Sequence, residues 1–448
     1  MTIGSVEYTT FTGWIEPPTD IRPALDRDLS CDVAVVGGGM GGMVTALRLA
    51  ERGQDVVLLE AEFCGYGASS RNGGQIASVP GGDLRLLSVF YPKKVRGMVR
   101  MAENSARFVE DLMERHDIEC DYVANGLAFA AVSPVQMLRV RTIAKILHRA
   151  GGHGTVGTSE ELGLPRGFVG GMREAVGGAL NPGKLCRGVR RALLASSAQV
   201  YEKTRVSDVS RRGGKVVITT AGGTLTAKQV VLATNSYSGE WDITPKRLSV
   251  PLWLLEVETE PIAQERIDAL GWTSRSGLIT QHQIMENYRL TARNSMVFGV
   301  RRVERGKKYP LANKAPDPAM VEELAAAFRS RFPSLADVAV ERAWGGWIAI
   351  TSSWLSIAGK LGDNVYYSIA CNGHGLAQAP YVGSLIADLI VDGTRHEDLD
   401  DIWAKEPKFP PFAFVGPLGL RTVWAVDRLN DMLNGSRRRA RKGVVRSR

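Results

Sequence analysis

A valine-rich run, Asp32 to Val36, is followed by three closely spaced glycines and then by apolar residues at helical spacing from about Met40 to Arg52. Gly53 stands where a helix-ending residue belongs, and a second apolar run, Asp55 to Leu59, closes the unit. Unbroken apolar runs of this length suit strands covered on both faces, so the pattern predicts strand, turn, helix, strand. Farther along, Val95, Met98, Val99, Ala102, Ala106, Val109, Leu112 and Met113 recur near the helical period within a helix predicted over 83–114. Further helices are predicted over 134–150, 183–196, 262–270 and 320–331, the last stopped by Pro333. Strands are predicted around 120–132, at 199–202 and 204–209, in a hairpin turning at Gly222-Gly223, and in two runs, VPLWLLEVETE and IMENYRLTARNSMVFGV, that suit an antiparallel sheet.

The glycines define the first unit more sharply. Gly37, Gly39 and Gly42 have the G-x-G-x-x-G spacing, in which the first glycine makes a tight turn, the second lets a pyrophosphate approach and the third lets helix and strand pack closely. The helix that follows aims its positive N-terminus at the phosphates. Glu60 ends the second strand at the distance where a ribose-binding carboxylate is expected, and a glutamate there favours a free 2′-hydroxyl. Met40 and Ala61 border the same site. The spacing indicates a dinucleotide without choosing between NAD and FAD.

The next segment, Gly65-Tyr66-Gly67-Ala68-Ser69-Ser70-Arg71-Asn72-Gly73-Gly74-Gln75, resembles the G-x-G-A-S-G-R-N-G-G-Q run of the D-amino-acid-oxidase-like superfamily of FAD-dependent oxidoreductases, in its γ-glutamylputrescine oxidase-like branch. The resemblance extends over residues 17–395 through Asn287-Tyr288-Arg289-Leu290, Trp344 to Trp347 and Cys371-Asn372-Gly373-His374-Gly375-Leu376. It implies FAD, with Ser69, Ser70 and Arg71 at the pyrophosphate and Asn72, Gly73, Gly74 and Gln75 along the isoalloxazine ring. Val206 would face adenine, Ala233 would lie beneath the dinucleotide, and Gly373 to Leu376 would open a helix toward the pyrimidine side of the flavin. Gln75, Arg289 and His374 are the catalytic candidates: Gln75 near N5, Arg289 as a fork for a substrate carboxylate and His374 beside the flavin. Trp344 and Trp347 would wall the substrate pocket. Ser353 and Ser356 depart from the family's aspartate and proline, which bears on the substrate more than on flavin binding. Trp344 to Trp354 contains no cysteine, and Cys371 is expected across a strand, so FAD is expected to be non-covalent.

The implied fold class is α/β, an FAD-binding Rossmann-type domain (βαβ, three-layer) interleaved with an α+β substrate domain on a mainly antiparallel sheet. The FAD domain is expected over 31–115, 176–245 and 342–395, and the substrate domain over 116–175 and 246–341. A leader over 1–30 precedes them. A C-terminal extension with an amphipathic helix, 396–435, is expected to dock on the body, and a basic disordered tail, 436–448, follows.

At 448 residues, 44% hydrophobic and 23% charged, the chain suits two interleaved domains of an ordinary globular protein. No apolar run reaches the roughly 18–20 residues of a membrane span. Five scattered cysteines without a C-x-x-C argue against disulfides and a zinc site, and with no signal-like N-terminus a cytoplasmic location is expected. The net charge of +9 resides mainly in the last thirteen residues, which hold seven basic side chains and no acid. The rest of the chain is therefore close to neutral, and no nucleic-acid partner is expected. Contact of the tail with anionic lipid or nucleic acid is the sharper reading of it, a solvated end the simpler one. The expected activity is FAD-dependent oxidation of a C–N bond in an amine or amino acid, giving an imine that hydrolyses, with O2 reduced to H2O2. Two alternatives stay open: a flavin dehydrogenase that passes electrons to a quinone or carrier protein, and a low-turnover flavin-binding protein.

Overall fold

In a computed structural model of the chain, the residues described are 6–244, 249–306, 311–351, 356–369, 371–403 and a set of helical positions between 419 and 432. The tail 436–448 and Ser353 lie outside them.

Two sheets carry the fold among the described residues. The first is built on parallel strands Leu29–Val36, Val56–Leu59, Gln199–Tyr201 and Thr224–Leu232, with Val365–Ile369 beside the last of these. Val206–Arg212 and Lys215–Thr220 extend it antiparallel. Alternation along Leu29–Val36 explains its position. Val33 and Val35 pack into a core with the helices Met40–Glu51, Val95–Arg115, Pro182–Ala195 and Gly375–Asp392. Ala34 and Val36 point the other way, into a core shared with Val206, Ile218, Leu225 and Trp241. A strand apolar on both faces is what a sheet covered on both sides requires.

The second sheet is mainly antiparallel. Its order is Glu7–Tyr8, Val340–Ile350, Val250–Thr259, Met296–Val300, Glu286–Leu290, Gly277–Thr280, Leu127–Ala131, Gly170–Glu174 and Gly154–Thr158. The helix Pro318–Arg331 closes a core against one face, where Phe328, Phe298, Phe332 and Tyr288 pack ring to ring. Asp317 caps this helix at Ala319, and Asn181 caps Pro182–Ala195 at Lys184.

The elements differ from expectation in three places. Val340–Ile350, expected to begin the last piece of the FAD domain at 342, pairs along its length with Val250–Thr259 and belongs to the second sheet. The leader, expected only to precede the two domains, contributes Glu7–Tyr8 as a parallel edge strand of that sheet. The helix over 83–114 is two helices, Leu84–Phe90 and Val95–Arg115, separated where Pro92 removes a backbone donor. Among the described residues, no helix is long and apolar enough to cross a membrane.

Candidate active site

A single cavity of about 550 Å3 begins at the glycine turn of the first sheet and ends against the second. At its first end, Gly37 has φ +104°, and a Cβ on Gly42 would collide with the Gly37 carbonyl. Only glycine at both positions lets the helix Met40–Glu51 start this close to the strand. Gly39, the N-cap, offers no side-chain cap, and the Ser69 hydroxyl accepts from Met40 N at 2.9 Å. Glu60 lines the cavity, its carboxylate accepting from Gly38 N at 2.6 Å and Glu62 N at 2.9 Å. Burial raises its pKa against those bonds. Ala61, Val206 and Ala233 line the same end, and the Val206 carbonyl accepts from the Trp241 indole.

The loop 65–75 folds over the middle of the cavity. Asn72 fixes its turn, donating to the Ala68 and Ser69 carbonyls and accepting from Gly74 N. Ser69, Arg71, Asn72, Gly73 and Gln75 line the cavity. Ser70 and Gly74 do not. Ser70 is buried, its carbonyl accepting from Thr12, and Gly74 packs against the Leu180 carbonyl in a left-handed conformation, φ +70°. Arg71 is 2% exposed, stacks on Phe11 and Tyr66, and donates to the carbonyls of Tyr66, Thr10, Phe11 and Gly345. It ties leader, loop and second sheet together. Its Nη2 is buried without a partner, an open donor on a cavity-lining residue.

The helix Gly375–Asp392 points its uncapped N-terminus into the cavity, with Gly373, His374, Gly375 and Leu376 lining it. Gly373 has φ +85°, and burial lowers the His374 pKa, favouring neutral imidazole. Ser356 donates to Gln378 at 2.6 Å on the same wall. Cys371 also lines the cavity, contrary to its expected place across a strand, and burial raises its pKa, favouring the thiol.

The far end belongs to the second sheet. Leu127, Leu254, Ile279, Met285 and Val300 make it apolar, with Trp347 at its side, bonded to the Ala312 carbonyl and edge-on to Trp253. Trp344, by contrast, is fully buried beneath the leader against Trp14 and donates to the Arg71 carbonyl, so it walls no pocket. Arg289 is also outside the cavity. Its guanidinium stacks on Trp14 and donates to the carbonyls of Gly74 and Leu180, and burial pulls its pKa down to about 10. The expected carboxylate fork is instead a brace behind the loop. Gln75 lines the cavity, and its amide lies 3.3 Å from the Tyr288 carbonyl.

Two cavity residues were missed as site residues: Glu256, and Asn287 beside it, bonded at 2.9 Å. The available signal was an acid in the middle of the otherwise apolar run VPLWLLEV.

The cradle fits FAD on three counts: glycines that leave no Cβ in the turn, an unpartnered Arg71 donor and the uncapped N-terminus of Gly375–Asp392. Fold and site thus define a dinucleotide-dependent enzyme whose cavity runs on to an apolar end at the second sheet. The chain belongs to the FAD dependent oxidoreductase family DAO, whose model matches residues 32–389. It is 30% identical over 397 residues to the gamma-glutamylputrescine oxidoreductase of Escherichia coli (strain K12), spanning 86% of this chain and 89% of that one. Among solved structures, it resembles L-proline dehydrogenase from P. horikoshii (TM-score 0.70, 20% identity, 85% and 96% of the two chains). It also resembles glycine oxidase from Geobacillus kaustophilus (TM-score 0.68, 20% identity, 81% and 95%). The protein is an FAD-dependent oxidoreductase.

Proposed function

We propose that the protein oxidises the C–N bond of an amine, using non-covalent FAD and passing the electrons to O2. The observation that carries this reading is the continuity of the cavity: one space runs from the dinucleotide turn to an apolar chamber on the second sheet. The similarity to a gamma-glutamylputrescine oxidoreductase supports an amine. So does the engagement of Arg289 with backbone carbonyls, which leaves that guanidinium outside the chamber a substrate carboxylate would occupy.

Bound FAD supplies a two-electron acceptor for the substrate C–H. The protein's own part is positioning and exclusion of water. Leu254, Ile279, Met285 and Trp347 give the substrate a dry wall that limits it to a few orientations. The N-terminus of Gly375–Asp392 favours negative charge on the side it faces. Asn72 and Arg71 hold the loop that would lie along the bound cofactor, with Gly73 on the cavity side. A cytoplasmic location accords with five free cysteines, four of them buried.

The test is a panel of primary amines, secondary amines and α-amino acids, assayed by oxygen uptake and peroxide release. Uptake with amines, stoichiometric with peroxide, is expected. Turnover confined to α-amino acids would reject the amine reading. Dye reduction without oxygen uptake would select the dehydrogenase alternative.

A further inference from the structure

The strand Val250–Thr259 alternates strictly: Leu255 and Val257 enter the aromatic core, while Leu254 and Glu256 face the cavity. Glu256 pairs in register with Gly299 on one neighbouring strand, and Gly299 pairs in turn with Asn287 on the next. A Cβ at Gly299 would overlap the Glu256 carboxylate. Glycine in the middle strand therefore lets an acid and an amide meet across it. Asn287 Nδ2 donates to Glu256 Oε1 at 2.9 Å.

Two atoms are left over. Glu256 Oε2 and Asn287 Oδ1 are buried with no hydrogen-bond partner among the described residues, although the side chains are 6% and 4% exposed. Buried polar atoms are ordinarily paired, and an orphaned pair in a cavity marks the place of a missing partner. Oδ1 is an acceptor, and Oε2 is one whenever Glu256 is ionised, so the partner is a donor. Asn287 Oδ1 also lies 2.9 Å from where a Cβ on Gly73 would be, placing the pair against the loop over the cofactor.

We propose that Glu256 and Asn287 seat the amino group of the substrate, and that Glu256 takes a proton from the incoming ammonium to leave a neutral amine. This inference rests on the amine reading above. An N–H bond breaks and an O–H bond forms on Oε2. The electron pair stays on nitrogen, where formation of the C=N bond requires it, and Glu256 returns the proton to solvent before the next cycle.

The electrostatics suit the role. Burial holds the Glu256 pKa up to about 8, against the lowering effects of the Asn287 amide and of Arg289, which lies on the same strand as Asn287, one strand beyond Gly299. That value narrows the gap to an alkylammonium, which an ordinary carboxylate leaves wide. The other charged groups nearby have partners: Glu258, two residues along, bonds Arg293 and Ser295, Arg289 bonds backbone carbonyls, and Arg71 does the same while keeping Nη2 as an open donor. His374 in the cavity favours the neutral state.

The probe is tert-butylamine, whose nitrogen-bearing carbon has no hydrogen, so that it binds holoenzyme without turnover. The flavin difference spectrum is read from pH 6 to 10 (a range that spans the pKa of about 8). Wild-type protein is expected to bind more tightly as the pH rises through about 8, and tert-butanol is expected not to bind. Glu256→Gln should weaken binding about tenfold or more and flatten the pH dependence. Its FAD content should be unchanged, and its melting temperature equal or higher, because a buried acid has gone. Asn287→Leu should weaken binding while keeping the pH dependence. Wild-type affinity and pH profile in Glu256→Gln, while amines still reduce the wild-type flavin, would overturn this inference alone. So would loss of FAD from Glu256→Gln. Wild-type protein that no amine reduces would overturn the amine reading and this inference together.

Discussion

The Glu60 carboxylate accepts from Gly38 N at 2.6 Å and so closes the glycine turn from below. The acid thereby helps set the turn's shape and also lines the cavity. Glu60→Ala is expected to weaken FAD binding about tenfold or more, as loss of charged hydrogen bonds implies. Fluorescence of released flavin measures it. Burial raises the Glu60 pKa, so wild-type FAD affinity should fall as the pH is lowered through a value above the ordinary carboxylate range.

Behind the loop, Arg190 and Glu202 form a buried two-bond pair, at 2.8 and 2.7 Å, and Glu202 also accepts from Cys64 N and Arg22 N. Arg190→Met leaves the carboxylate without its cation and should cost about 3–5 kcal/mol of stability. Arg190→Met with Glu202→Leu should recover part of it. Denaturant titrations of both variants decide the matter. Equal stability of Arg190→Met and wild type would contradict this assignment.

The pH dependence of stability has two limbs. Glu174 and Glu256 have pKa values raised by burial to about 8, so their contribution is full below the unfolded value near 4.5 and is lost as pH rises through about 8. Glu286 is lowered to about 2 by Arg331, His282 and Arg301, against its burial. Its contribution is full above about 4.5 and lost as pH falls through about 2. In melting curves of the FAD-free protein, Glu174→Gln should flatten the alkaline limb, and Glu286→Gln should shift acid unfolding to higher pH.

Two acids of the C-terminal segment, Asp427 and Asp431, hold it to the second sheet through charge. Asp427 accepts from Gln283 N and Ile284 N at 2.9 and 2.8 Å, and Asp431 pairs with Arg301, Arg331 and His282. Val426, Leu429 and Met432 are exposed. The clamped segment leads straight into Met285, a wall of the chamber. Asp427→Ala should therefore raise KM several-fold with little change in kcat or FAD content, as steady-state kinetics would show.

Much of the cofactor site was legible because sterics force it. Gly37 and Gly42 have no acceptable substitutes, and Glu60 follows at a distance set by one helix and one strand. The substrate side was not. An apolar strand such as Val340–Ile350 does not declare which sheet it joins, and a two-residue strand such as Glu7–Tyr8 is too short to show a period. Arg289 and Trp344 resembled pocket residues in sequence, but whether a buried side chain faces a cavity or braces its back depends on strand pairing. Glu256 was hidden for the same reason: its meaning comes from Gly299 and Asn287, distant in sequence and adjacent only across the sheet.

The most direct test of the account is anaerobic addition of amines to purified holoprotein while absorbance is followed at about 450 nm, the flavin's own band. Loss of that band with at least one amine, and its return on admitting oxygen, is the predicted result. A yellow protein whose band no amine bleaches would contradict it.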